Sequence, residues 1–184
     1  MKENKTNKHQ AVNAKVEDSR QVEPKDQYLT FFMGDEEFGI NILSVQEIRG
    51  WEPITEIPNS PRQVLGVMNL RGTVSPIIDL RHCFGITNLS YSDQTVVIIV
   101  SVQVKNDKKP KVIGIVVDAV SDVYNFAASE IQVSPELAHT HQAQYVRGLA
   151  STTEKMVIIL DLTAQLIEDI EPSDLSSRPF LASH

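Results

Sequence analysis

The 184-residue chain contains one cysteine, Cys83, so it can form no intramolecular disulfide, and a lone thiol fits a reducing compartment. Long apolar runs are also missing. The longest unbroken aliphatic stretch, Val96 to Val100, is far short of the ~20 residues that span a bilayer. The N-terminus has no apolar core of the kind that directs secretion. A cytoplasmic protein without direct membrane insertion is expected. The eight glycines are dispersed, and none opens a phosphate-binding loop or flanks a nucleophile elbow, so nucleotide chemistry and Gly-x-Ser-x-Gly hydrolysis have no visible seat. Basic charge is scarce. Net charge is -7, and residues 1–26 carry six basic against five acidic side chains, which leaves the body more acidic still. Phosphate backbones reward clustered Lys and Arg, so no nucleic acid partner is expected.

What remains is one domain with two polar ends. Residues 1–26 mix Lys, Glu, Asn and Gln with a few isolated aliphatics and no aromatic, too little apolar surface to offset ordering entropy, and read as a disordered arm. Residues 171–184 are turn-rich and read as a flexible tail. Between them, 27–170 holds short, β-branched runs bounded by turn residues: Tyr28 to Met33, Val64 to Leu70, Thr95 to Val104, Lys111 to Val117 and Met156 to Leu160. Gly34-Asp35-Glu36-Glu37 predicts a hairpin with solvated acids at its tip. Arg71-Gly72 predicts a tighter one, with glycine supplying the positive φ. Helical spacing is brief: Ile42, Val45 and Ile48 would share one face, and Leu162, Leu166 and Ile170 another, with Asp161 or Thr163 as N-cap.

The chain also carries a faint duplication. Gly39-Ile40, Val45, Glu47 and Ile48 recur 75 positions on as Gly114-Ile115, Val120, Asp122 and Val123. Gly66 precedes Ile77-Ile78-Asp79-Leu80 at the spacing with which Gly148 precedes Ile159-Leu160-Asp161-Leu162, now 82 positions on. One loop insertion accounts for the changed offset. Residues 28–84 and 95–166 therefore read as two copies of a unit of strands plus a short helix, which suggests two small barrels sharing a core and leaving few open sheet edges.

Catalytic and metal signals are weak. His139-Thr140-His141 has metal-like spacing but no third ligand nearby in sequence. Cys83 beside His82 reads as a small packed residue, not a thiolate pair. Asp79, Asp118 and Asp161 each follow an aliphatic strand, where a carboxylate caps the next turn. No catalytic residue, cofactor or metal is assigned.

Three stretches together are specific. Gly34-Asp-Glu-Glu-Phe-Gly-Ile-Asn-Ile-Leu-Ser-Val-Gln-Glu-Ile-Arg-Gly50 comes first, then Gly66-Val-Met-Asn-Leu-Arg-Gly72 with Pro76-Ile-Ile-Asp-Leu-Arg81, then Gly114-Ile-Val-Val-Asp-Ala-Val-Ser-Asp-Val123. In this order and spacing they closely resemble the chemotaxis coupling proteins of the CheW type, from about Gln27 to Asp169. The resemblance implies a mainly β fold of two SH3-like five-stranded barrels around a shared core, with short accessory helices. It also implies a non-enzymatic adaptor that joins the cytoplasmic tip of methyl-accepting chemoreceptors to the regulatory domain of the chemotaxis histidine kinase CheA, in membrane-associated arrays. Positions matching the family's receptor groove are Val45, Gly66, Arg71, Gly114, Val120 and Val123. Arg71 could bond a receptor carboxylate or carbonyl, or form a structural salt bridge to Glu47 or Asp79. Glu136 and Leu137 match a kinase contact, although family members often carry Phe at 137 and a basic residue at 132, where this chain has Leu and Gln. Ala119 stands where a glycine is common, which matters only if that position needs positive φ. Detached kinase regulatory domains share the fold, but no kinase boxes follow here, and a stand-alone coupler is expected. A generic proline-peptide binder would need more aromatics than one tryptophan and four tyrosines.

Overall fold

The computed structural model of the chain describes residues 23–87, 89–103, 108–133 and 141–162. Eleven strands form among them: β1 Lys25–Met33, β2 Glu36–Asn41, β3 Val45–Gly50, β4 Val64–Leu70, β5 Thr73–Asp79, β6 Val96–Val102, β7 Lys111–Val117, β8 Ala119–Ala127, β9 Ile131–Gln132, β10 Val146–Ser151 and β11 Met156–Leu160. One short helix, α1 Leu80–Cys83, follows β5. Asp79 caps it as expected, its carboxylate accepting from the Arg81 N–H at 3.1 Å.

The strands make two sheets, a six-stranded one in the order β8-β1-β2-β11-β10-β9 and a five-stranded one in the order β3-β6-β7-β5-β4. This is a mainly β fold in which the duplication is visible pair by pair. Hairpin β1–β2 matches hairpin β6–β7, and β4–β5 matches β10–β11. Two parallel pairings match as well: Ile77 lies opposite Gly114 where β5 meets β7, and Ile159 lies opposite Gly39 where β11 meets β2. The halves exchange their first hairpins. Strands β1 and β2 pair into the sheet of β8, β10 and β11, while β6 and β7 pair into the sheet of β3, β4 and β5. Each sheet is closed by the chain itself. Beyond β3 the chain makes the Thr55–Val67 bridge to β4, and β8 runs through a 3-10 turn, Ala128–Glu130, into β9 beside β10.

Three apolar clusters explain the aliphatic runs. Val97, Ile99 and Val116 face a cluster inside the five-stranded sheet with Leu70 and Ile77. Tyr28, Val157 and Ile159 face one inside the six-stranded sheet with Phe126 and Ala150. The alternate residues, Ile98, Val100, Ile113, Ile115 and Val117 with Leu29, Phe31, Phe38 and Leu160, meet in a shared core between the sheets. Strands buried on both faces carry continuous hydrophobic runs in place of alternation.

Several local expectations change. Val45 and Ile48 are not helical: a 3-10 turn, Ile42–Ser44, is capped by Asn41, and both residues then lie in β3. Glu37 is not solvated, being 4% exposed with its Oε2 2.6 Å from Lys155 Nζ. The hairpin tip is Gly34-Asp35, before β2 begins. β1 begins at Lys25, two residues inside the stretch that composition assigned to the arm. Leu166 and Ile170 lie outside the described residues.

Candidate binding surface

Strands β3 and β8, each at one end of its sheet, carry a bulge, and the bulge decides which side chains share a face. In β3, Val45 lies opposite Val100 and Ile48 opposite Ile98, with a register shift between Val45 and Glu47. In β8, Val120 lies opposite Phe31 and Val123 opposite Leu29, again with a shift between. Directly opposed residues project from the same face. All four opposing residues belong to the shared core, so Val45, Ile48, Val120 and Val123 stand along its rim. Normally residues three apart in a strand point to opposite faces, and one extra bulge residue restores the match. Thr30 staples the second bulge, its hydroxyl donating to the Asp122 carbonyl and accepting the Asp122 N–H, both at 3.1 Å.

The rim grades outward. Val45 and Val120 are half-buried against the shared core, whereas Ile48 is 45% and Val123 38% exposed. These two occupy equivalent places in the duplication. Ile48 was not among the sequence-derived candidates, yet the 75-residue offset from Val123 marks it.

The other candidate positions lie elsewhere. Gly114 is buried inside the five-stranded sheet, where an added Cβ would sit 2.5 Å from Ile77 Cδ1 and 2.9 Å from Val97 Cγ1. At Gly66, also buried, a Cβ would sit 2.1 Å from the Thr55 carbonyl oxygen. Both glycines serve close packing, so substitutions there act through the fold before they act on a partner. Arg71 is the first residue of the β4–β5 turn, with φ +53, followed by Gly72 at +89. Two positive φ values suit a tight hairpin. The Arg71 guanidinium is 85% exposed and lies 2.6 Å from Glu47, across from β4 to β3. The structural salt bridge to Glu47 therefore forms, while Asp79 is engaged elsewhere. Glu47 lies opposite Ile99, so this pair sits on the other face of β3 from Val45 and Ile48. It borders a pocket of about 210 Å³ lined also by Leu70, Thr73 and Val112. Ala119 does not have positive φ, so the missing glycine carries no backbone strain.

An ionic cluster between the sheets has Arg81 and Asp79 buried and Asp118 partly exposed. Arg81, 1% exposed, binds Asp79 through Nε at 2.8 Å and Nη2 at 2.7 Å, and Asp118 through Nη1 at 2.6 Å. Nη1 also donates to the Ser90 carbonyl at 2.9 Å. The Tyr91 ring lies 4.9 Å from the guanidinium carbon, and its hydroxyl donates to Asp79 Oδ2 at 3.0 Å. Burial works against the charged guanidinium, but hydrogen bonds and charges from Asp79 and Asp118 outweigh it, so the Arg81 pKa is raised. Asp118 caps no turn after it, since β8 follows directly; its other oxygen accepts from the Gly34 N–H of the β1–β2 turn at 2.7 Å.

Among the described residues no group of three or more His, Cys, Asp or Glu is placed to hold a metal, and no helix is long and apolar enough to cross a membrane. Cys83 is half-buried against the shared core. Glu136, Leu137 and His139 lie outside the described residues.

Fold and site together define a double-barrel interaction module, with an apolar rim on β3 and on β8 and a shared core between. The chain belongs to the CheW-like domain family, whose model matches residues 27–170. The chemotaxis protein CheW of Klebsiella aerogenes is 45% identical over 136 residues, covering 74% of this chain and 78% of that protein. A probable chemotaxis protein CheW of Rhizobium etli is 40% identical over 140 residues, covering 76% and 86%. The crystal structure of the scaffolding protein TtCheW from Thermoanaerobacter tengcongensis superposes with a TM-score of 0.67 at 32% identity, covering 76% of this chain and 90% of that one. This places the chain among chemotaxis scaffolds, and its role is that of a coupling adaptor.

Proposed function

We propose that this adaptor works without catalysis in the cytoplasm, joining the tip of a methyl-accepting receptor to the regulatory domain of the chemotaxis histidine kinase at membrane-associated arrays. The observation that carries this reading is the pair of exposed apolar side chains, Ile48 and Val123, at equivalent places on the rim of the shared core. An amphipathic helical hairpin has the stripe to cover such a rim. Val45 and Val120 form its floor, Arg71 supplies a charge at the neighbouring hairpin, and Gly66 and Gly114 keep the strands beneath it closely packed. The kinase face includes Glu136 and Leu137.

Calorimetric titration tests both faces. Wild type should bind a receptor-tip hairpin and a kinase regulatory domain from the same cell. Ile48→Asp and Arg71→Glu should weaken the receptor arm and spare the kinase arm, with Leu137→Asp doing the reverse. Failure of wild type to bind either partner would sink the proposal.

A further inference from the structure

The Arg81 cluster has a position that stability alone does not explain. Asp118 is the single residue between β7, in the five-stranded sheet, and β8, in the six-stranded one. It is held from both sides. Arg81, at the start of α1, grips one carboxylate oxygen at 2.6 Å, while the other oxygen accepts from Gly34 in the β1–β2 turn at 2.7 Å. The Asp118 N–H donates to the Phe32 carbonyl of β1 at 3.0 Å. Arg81 is itself fixed by Asp79 at the end of β5 and roofed by Tyr91, which stacks on Trp51 at 4.4 Å. Val120, the inner residue of the β8 rim, lies two residues past Asp118.

The duplication supplies an internal comparison. At the other crossover, between β2 and β3, the counterpart of Asp118 is Leu43, which is 88% exposed. A carboxylate clamp thus holds the entry to β8, and an apolar side chain occupies the same place before β3. Arg81 is buried in both its ion pairs and Asp118 partly exposed in one; ion pairs that bury a charge contribute little net stability compared with apolar packing, and their best-attested use is to fix register.

We infer that Asp79, Arg81 and Asp118 form a latch that positions the Val120–Val123 rim relative to the Val45–Ile48 rim, making Asp118 a positioning residue for receptor binding. The binding part rests on the function proposed above. The positional part does not.

The test is Asp118→Asn, which keeps size and an oxygen acceptor for Gly34 but removes the charge, with Asp118→Glu as the charge-keeping control. Spin labels at Val74 on β5 and Asn125 on β8, both exposed, read the distance between sheets in a Cys83→Ser background. In Asp118→Asn the distance distribution should shift or broaden. Affinity for the receptor hairpin should fall roughly tenfold while kinase affinity stays within about twofold, and Asp118→Glu should recover most of the loss. An unchanged distance distribution would overturn the latch. So would equal losses toward both partners that track a lowered thermal midpoint, because that is the signature of a merely structural residue. If wild type binds neither partner, the function proposal fails and the distance measurement still decides the latch.

Discussion

Asp79 is fully buried, and the Arg81 side chain supplies two of its hydrogen bonds. Arg81→Ala leaves that carboxylate without its cation, with an expected loss of about 3–5 kcal/mol by denaturant unfolding. Arg71→Glu is the opposite case. Its ion pair is exposed on the arginine side, so the stability change should be about 1 kcal/mol or less, and any effect on partner binding can be read from a folded protein. Glu37 adds a pH dependence. Burial raises its pKa, but the Lys155 ammonium, 2.6 Å from Oε2, prevails, and the net shift is downward from the ordinary carboxyl value. A carboxyl lowered in the folded state stabilises above its unfolded pKa and loses that contribution as pH falls through the folded one. Glu37→Gln should therefore flatten the acid limb of thermal midpoint against pH, measured from about pH 7 to about pH 3.

Among the elements, β4 shows how little room the barrel closure leaves. The Thr55 and Val67 amides exchange hydrogen bonds of 3.1 and 2.8 Å across the Gly66 site. Gly66→Ala places a methyl against the Thr55 carbonyl, at a φ of +155 that side chains rarely adopt. The strand ends must part, and a loss of about 3 kcal/mol or more is expected. Hydrogen exchange should show the Thr55 and Val67 amides losing protection first. β3 and β8 show why sequence periodicity misleads. Val45 and Ile48, like Val120 and Val123, are three apart, the spacing of a helix face. A bulge in an edge strand gives the same spacing, and the long-range pairing with β6 or β1 selects the strand. The runs now seen as β4, β7 and β11 were legible with their observed bounds, because short aliphatic runs bounded by turn residues need no partner to be recognised.

At the scale of the molecule, the exchange of hairpins makes each sheet depend on both halves of the chain. Cleavage at an engineered protease site between Gly85 and Leu89 should leave a non-covalent complex that melts in one transition. The separated fragments should show no cooperative transition, since each would hold an incomplete sheet with open edges. Two independent transitions in the nicked protein would show that the halves fold separately.

By itself, the sequence determined the β class, the duplication, the acidic balance and the family resemblance, because these rest on local composition and on spacing along the chain. Only through the family resemblance did it single out Val45, Val120 and Val123, and the repeat relates Ile48 to Val123. The tertiary structure decided which sheet each hairpin joins, which face each edge-strand side chain takes, and that Glu37 is buried against Lys155 and Arg81 bridges its neighbour Asp79 to the distant Asp118. Strand exchange and the Glu37–Lys155 and Arg81–Asp118 pairs depend on contacts between residues tens of positions apart. Local propensity cannot distinguish an exchanged hairpin from a retained one, since both satisfy the same backbone hydrogen bonds.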